Sequence, residues 1–161
     1  MLKFFALLTL LASAAVHAQT PLQTDLPLKY LEQTHAESRD RPLVIFLHGY
    51  GSNEQDLFDI KEALPEQYNY LSVRAPMVME EGSYKWFREK GTGAYNGETD
   101  DLKSSAQLLE DFVAQAAKKY HTQPDKVFLV GFSQGAIMSY EMALRQPAAV
   151  GGIAALSGRL L

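Results

Sequence analysis

A five-residue motif constrains the fold of this chain more than any other feature. The motif GFSQG, at 131–135, follows the short apolar run 127–130 and precedes a stretch of helical spacing that ends near Arg145. A strand, a tight turn and a helix in this order form a βα unit that lifts the central Ser133 above the sheet. Glycines at both ends of the motif remove the side chains that would obstruct such a turn. The motif therefore predicts an α/β fold with Ser133 at a strand-to-helix turn.

Apolar runs and amphipathic stretches alternate along the rest of the chain, which is typical of a mainly parallel sheet. The run 43–47 is apolar throughout and predicts a strand buried on both faces. Leu102 begins a series of apolar residues at helical spacing that predicts an amphipathic helix starting near 100–101. Further strands are predicted at 68–75, 127–130 and 152–156, with an antiparallel one at 28–33.

Two connecting segments carry predictions of their own. Ser52 and Gln55 form the pattern of a capping box, which predicts a helix after the first buried strand, ending near Pro65. The glycine-rich stretch 77–97 is longer than an ordinary connection, and it predicts a long loop with a functional role.

The first eighteen residues predict export. Lys3 supplies a positive start, 4–16 is an apolar run, and the segment Val16-His17-Ala18 has the small-x-small pattern of a cleavage site. This arrangement predicts a secretory signal peptide at 1–18, cleaved after Ala18. We therefore expect a periplasmic or secreted protein. No stable membrane anchor is expected, because the apolar run is short and no cysteine follows it for lipid attachment.

Composition excludes several classes of function. A hydrophobic content of 47% in 161 residues is enough for one packed domain. The net charge of −4 is spread along the chain, so we expect no nucleic-acid partner. Without cysteine there are no disulfides, thiolate nucleophiles or cysteine-based zinc sites. No phosphate loop, dinucleotide fingerprint or metal-ligand spacing appears, and we expect no cofactor and no metal. The oligomeric state does not follow from the sequence.

The motif HGYG, at 48–51, directly follows the strand predicted at 43–47. An oxyanion that forms beside Ser133 needs two N–H donors, one from the residue after the serine and one from a loop after an early strand. These donors would be the amides of Gln134 and Tyr50. His48 is expected to form hydrogen bonds within the turn rather than to act as the base, because triads on this type of fold run Ser, Asp, His.

Together with RAP at 74–76, WF at 86–87 and ALSGRL at 155–160, these motifs resemble the phospholipase/carboxylesterase family of α/β-hydrolases. This family includes the acyl-protein thioesterases, and the resemblance covers about residues 27 to 161. It implies a mainly parallel sheet with helices on both faces. It also implies hydrolysis of small or lipid-like carboxylic esters or thioesters, without a cofactor, through a Ser133 acyl-enzyme.

The resemblance also implies roles for individual residues. Tyr50 and Gln134 would form the oxyanion hole, and Trp86 and Phe87 would line the acyl pocket. Ordinary core packing is the alternative for this aromatic pair.

The chain departs from the family after Ser133. The family continues with two further βα units that deliver an aspartate and a histidine, which need roughly sixty residues. Here the histidines at 17, 35, 48 and 121 all precede Ser133. We therefore expect 19–161 to be a partial α/β-hydrolase domain that lacks the C-terminal βα units. His121 stands near a predicted helix end, where a capping or solvent-exposed role is expected.

Two other classes of protein remain open at this point. A non-catalytic hydrolase-like protein could bind ligands in the same cleft, although a strained serine gives a binding protein no advantage. Peptidases and dienelactone-type hydrolases use the same turn. The motif GFSQG and the Trp86-Phe87 pair favour an esterase.

Overall fold

The computed structural model describes residues 20–37, 39–91 and 99–161, so the predicted signal peptide at 1–18 lies outside them. The strands are β1 (Tyr30–Gln33), β2 (Leu43–Leu47), β3 (Asn69–Val73), β4 (Met77–Glu80), β5 (Ser83–Lys85), β6 (Val127–Phe132) and β7 (Gly152–Leu156). The α-helices are α1 (Thr99–Lys119) and α2 (Gln134–Arg145), and 3₁₀ helices cover Phe58–Ala63 and Pro124–Lys126.

Five strands form the main sheet, in the order β1-β3-β2-β6-β7. The four strands β3, β2, β6 and β7 are parallel, and β1 runs antiparallel to β3 at one edge, so the predicted sheet is confirmed. Leu47 at the end of β2 pairs with Gly131 near the end of β6. The two motifs that follow these strands, at 48–51 and 131–135, are therefore neighbours at the carboxyl edge of the sheet.

The two faces of the sheet carry separate apolar cores. On one face, α1 and α2 pack against alternate residues of the central strands, including Ile45 and Leu129. On the other face, the 3₁₀ helix brings Phe58 against Val44 and Phe46. The sheet is thus covered on both sides and supports the loops at its carboxyl edge.

Within the described parts of the chain, no helix is both long enough and apolar enough to cross a bilayer.

The prediction of a helix after β2 is wrong in the type of helix and in the residue at which it begins. Only the 3₁₀ helix Phe58–Ala63 forms there, and Ser52 caps nothing. Ser52 instead forms a β-bridge with Tyr84, whose N–H donates to the Ser52 carbonyl at 2.8 Å. The turn is made by Asn53, whose side-chain oxygen accepts the Gln55 N–H at 3.0 Å. A long-range backbone pairing therefore replaces the local capping box.

The long loop predicted at 77–97 is also partly wrong. Residues 77–85 form the antiparallel hairpin of β4 and β5, and Gly82 with φ +76° lies at its turn. Residues 92–98 lie outside the described part of the chain. The amphipathic helix that follows is confirmed as α1, with its apolar stripe buried and Lys118 and Lys119 in its last turn.

Candidate active site

Ser133 stands at the junction between β6 and α2, in a backbone conformation that side chains rarely adopt. Its φ is +52° and its ψ is −114°. A non-glycine residue held in so sparsely populated a region costs about 1–3 kcal/mol, which the surrounding structure must supply. The Ser133 N–H donates to the Leu156 carbonyl at the end of β7, at 2.9 Å, and its own carbonyl accepts the Ile137 N–H. The turn predicted for the motif is therefore present, and β7 helps to hold it.

The two glycines of the motif are required by close backbone contacts. A Cβ on Gly131 would lie 2.3 Å from the Gly135 carbonyl oxygen. A Cβ on Gly135 would lie 1.9 Å from the Leu47 carbonyl oxygen at the end of β2. Neither neighbour is a flexible side chain, so neither can move aside. The glycines thus let the start of α2 lie directly against the end of β2.

We expect Gly135→Ala to destabilise the protein by about 3 kcal/mol or more, because the new methyl group overlaps backbone that the sheet holds in place. Gly152→Ala is the matched control, since a Cβ there would meet only two Phe128 ring atoms, at 3.5 and 3.7 Å. Urea unfolding of both variants measures the difference. Equal stability of the two variants would contradict the close packing at Gly135.

The loop after β2 lies beside Ser133. A Cβ on Gly49 would stand 3.3 Å from the Cβ of Ser133, so the backbone that leads to Tyr50 passes the serine directly. Tyr50 is 48% exposed, and α2 begins at Gln134, as the proposed oxyanion site requires. Among the described residues, neither the Tyr50 nor the Gln134 N–H donates to a protein acceptor. Convergence of these two donors on one point about 3 Å from each stays a prediction.

His48 is held within the turn, as predicted. Its ring is fully buried, and Nε2 accepts the Ala75 N–H at 3.0 Å. Nδ1 must then carry the proton, and it donates to the Gly49 carbonyl at 2.8 Å. Burial lowers the pKa of His48, which keeps the ring neutral. Both nitrogens are occupied, so neither is free to take a proton from Ser133.

The other described histidines lie at the opposite end of the sheet from Ser133, where the parallel strands begin. His35 follows β1, whose end pairs with the start of β3, and its Nε2 contacts the Glu66 carbonyl at 2.7 Å. His121 lies two residues after the end of α1 with φ +52°. Its N–H donates to the Lys118 carbonyl, and the following Thr122 N–H donates to the Ala117 carbonyl. This is the Schellman arrangement, which confirms the capping role expected of His121. None of the described histidines is placed to act on Ser133.

Trp86 and Phe87 are completely buried in the core beneath α1 and α2. The structure therefore shows core packing for both rings, and an acyl-pocket role for them stays a prediction. Their backbone is held by the side chain of Gln134, which is itself buried. Gln134 Oε1 accepts the Trp86 N–H at 3.0 Å, and Nε2 donates to the Phe87 carbonyl at 3.1 Å. Sequence reasoning used only the backbone amide of Gln134 and missed this second contact.

Arg74, the first residue of the RAP motif, forms a bidentate ion pair with buried Glu54 at 2.7 and 2.5 Å. Burial by itself would raise the pKa of Glu54, but the hydrogen bond and charge of Arg74 lower it. The ion pair fixes the loop after β2 to the end of β3.

Beside Arg74 lies a cavity of about 270 Å³, lined partly by Leu28 and Tyr84. No cluster of three metal-ligating side chains occurs in the described ranges.

The strained serine, its flanking glycines and the adjoining HGYG loop lie together at the carboxyl edge of the sheet. The profile of the phospholipase/carboxylesterase family matches residues 29–161, which is most of the chain. The chain belongs to this family. Its structural neighbours include carboxylesterases with the α/β-hydrolase fold, and the mainly parallel sheet described above is the corresponding part of that fold.

Individual relatives agree with this assignment. Acyl-protein thioesterase 1 of Candida albicans is 27% identical over 134 residues, which is 75% of this chain and 58% of that protein. The Bacillus cereus carboxylesterase structure superposes with a TM-score of 0.66 at 28% identity, covering 78% of this chain and 57% of that one. The Mesorhizobium loti carboxylesterase gives a TM-score of 0.70 at 22% identity, with 84% and 66% covered, and supports the fold alone. The chain spans between 33% and 58% of the length of the curated relatives it matches.

Proposed function

We propose that this protein is a serine carboxylic ester hydrolase in which Ser133 is acylated. The observation that carries the proposal is the strained backbone of Ser133 beside the amides of Tyr50 and Gln134, neither of which donates to an acceptor among the described residues. A protein that only binds ligands gains nothing from holding a serine at φ +52°. Membership of a family that contains esterases and thioesterases agrees with this chemistry.

The proposed reaction has two halves. Ser133 Oγ attacks the acyl carbonyl and gives its proton to a general base, and the carbonyl oxygen becomes an oxyanion. The N–H groups of Tyr50 and Gln134 donate to that oxyanion, where their contribution is greatest because the charge exists only in and around the transition state. Collapse of the intermediate expels the alcohol or thiol, which receives the proton from the general base. Water then releases the acid from the Ser133 ester by the same steps.

The general base is not among the described histidines, since His35, His48 and His121 are all engaged or remote. We propose that a histidine and its aspartate partner come from two further βα units that follow Leu161 in the complete protein, as in the family pattern. The whole protein, not residues 19–161 by themselves, would then carry the activity. The relatives are consistent with this proposal, because the matched part is about half of their length.

The proposed substrates are small or lipid-like carboxylic esters and acyl thioesters. The surface around Ser133 supports this choice, because the neighbouring Tyr50 and Phe132 are 48% and 42% exposed. An apolar rim of this kind favours an acyl group over a charged ligand. Initial rates on p-nitrophenyl esters of increasing acyl length, and on acyl thioesters, test the proposal with protein expressed from its complete reading frame. Absence of turnover on every ester and thioester would overturn it.

We also propose that the protein is exported, from the pattern of Lys3, the apolar run 4–16 and the cleavage-site motif ending at Ala18. The expected result is a mature protein that begins at Gln19 and is found in the periplasm or medium. N-terminal sequencing and intact mass of the protein from an export-competent host measure this. Recovery of an uncleaved form beginning at Met1 from the cytoplasm would rule out the signal peptide.

A further inference from the structure

The two proposed oxyanion donors lie on separate segments, beyond the point where β2 and β6 pair. The last pair of the β2–β6 ladder is Leu47 with Gly131, and the chain continues for three residues beyond each of these to reach Tyr50 and Gln134. A donor that is misplaced by about 1 Å can cost about a hundredfold in rate. The spacing of the two amides therefore needs a support beyond the ladder.

Trp86 provides contacts to both segments at once. Its indole N–H donates to the His48 carbonyl at 2.9 Å, and its backbone N–H donates to Oε1 of Gln134 at 3.0 Å. The carbonyl of Trp86 in turn accepts a hydrogen bond from Ser105 Oγ, which ties it to α1. Trp86 is thus a cross-link between the HGYG loop, the start of α2 and the core.

The contact with His48 determines how the loop presents its amides. The His48 carbonyl points inward to Trp86, while Nε2 of His48 accepts the Ala75 N–H. With the carbonyl and the ring both fixed, the peptide that follows cannot rotate freely. The Tyr50 N–H, two residues on, remains unpaired within the described part of the chain. The Gln134 N–H is unpaired in the same sense, although its side chain is anchored on both polar atoms.

We infer that Trp86 is a positioning residue, which sets the spacing of the Tyr50 and Gln134 amides through its hydrogen bonds to His48 and to the Gln134 side chain. This inference rests on the proposed function. It gives buried Trp86 a role different from that of lining an acyl pocket. Because the donors act on charge that develops in the transition state, loss of their spacing lowers kcat and leaves KM nearly unchanged.

Trp86→Phe tests the inference, since it keeps an aromatic ring and removes the indole N–H. In protein from the complete reading frame, we expect kcat on p-nitrophenyl esters to fall about tenfold to a hundredfold, with KM within about twofold. Tyr70→Phe is the matched control. It also removes one buried side-chain donor, to the Pro65 carbonyl at 2.7 Å, but on the other face of the sheet. We expect the control to retain kcat within about twofold.

Gln134→Met removes the other end of the same support and keeps the backbone amide. We expect a similar loss of kcat, and less than an additive loss in the double variant with Trp86→Phe, because both changes break one network. A change in KM or in acyl-length preference, without loss of kcat, would place Trp86 in the substrate pocket instead. A loss of kcat in Tyr70→Phe as large as in Trp86→Phe would also overturn the inference.

Hydrogen exchange separates this inference from the proposed function. In Trp86→Phe we expect severalfold faster amide exchange across 48–52, measured by mass spectrometry, and no such change in Tyr70→Phe. If the unmodified protein hydrolyses no ester, the proposed function fails, and the exchange rates alone decide whether Trp86 fixes the loop. Unchanged exchange across 48–52 would overturn the inference whatever the activity.

Discussion

We expect Ser133→Ala to lower ester hydrolysis by more than about a thousandfold in the protein expressed from its complete reading frame, because it removes the oxygen proposed to attack the acyl carbon. The variant keeps its fold. Alanine meets the same strain at φ +52°, and the backbone bond to the Leu156 carbonyl does not involve the side chain. Initial rates on p-nitrophenyl esters and thermal unfolding measure both properties. A covalent fluorophosphonate label on Ser133, absent from the variant, identifies the nucleophile.

Ser104→Ala is the control, since Ser104 is an exposed serine of α1 whose hydroxyl donates to the Asp100 carbonyl. We expect it to retain full activity. Ser133→Gly separates strain from chemistry. Glycine adopts positive φ without steric strain, and this relief exceeds its entropic cost, so the variant should be more stable by about 1 kcal/mol while remaining inactive. Ester turnover by Ser133→Ala at the normal rate would exclude Ser133 as the nucleophile.

The elements around the site were predictable because the local sequence and the tertiary structure agree there. The motif at 131–135 needs glycines for backbone contacts that only a strand-to-helix turn creates, and the structure contains those contacts. The strand at 43–47 is apolar on both faces, and it lies at the centre of a covered sheet. The helix α1 has a single apolar stripe, and that stripe is buried. In each case one physical requirement determines several residues at once.

The wrong predictions arise where a distant partner decides the outcome. Ser52 has the sequence pattern of a helix cap, but Tyr84 pairs with its backbone from a hairpin about thirty residues away. The stretch that begins at Met77 is glycine-rich and its strands are short, so its sequence resembles that of a loop. Only the pairing of the two strands with each other makes them a hairpin. The role of the Gln134 side chain likewise depends on a partner that is distant in the sequence. Its contacts with Trp86 and Phe87 depend on a chain segment that no local pattern connects to it.

Residues 19–161, produced alone, should have nearly no esterase activity. Ser133 then has a strained turn and two amide donors but no base, because His48 is neutral and bonded through both nitrogens. An oxyanion hole and binding can retain some acceleration over water, yet far below that of a working triad. We expect rates at least about a thousandfold below those of the complete reading frame. Initial rates of the two proteins on the same p-nitrophenyl ester measure this difference.

The same short form should also be poorly soluble. β7 is an edge strand of the described sheet, and its apolar Leu156 is 49% exposed next to the site. An unpaired apolar edge of this kind pairs readily with other chains. Sedimentation and the soluble fraction of both proteins measure the effect.

If 19–161 hydrolysed esters at an ordinary enzymatic rate, one of His35, His48 or His121 would have to serve as the base. Substituting each by asparagine would then show which histidine it is, and the structural role of that residue described above would be wrong.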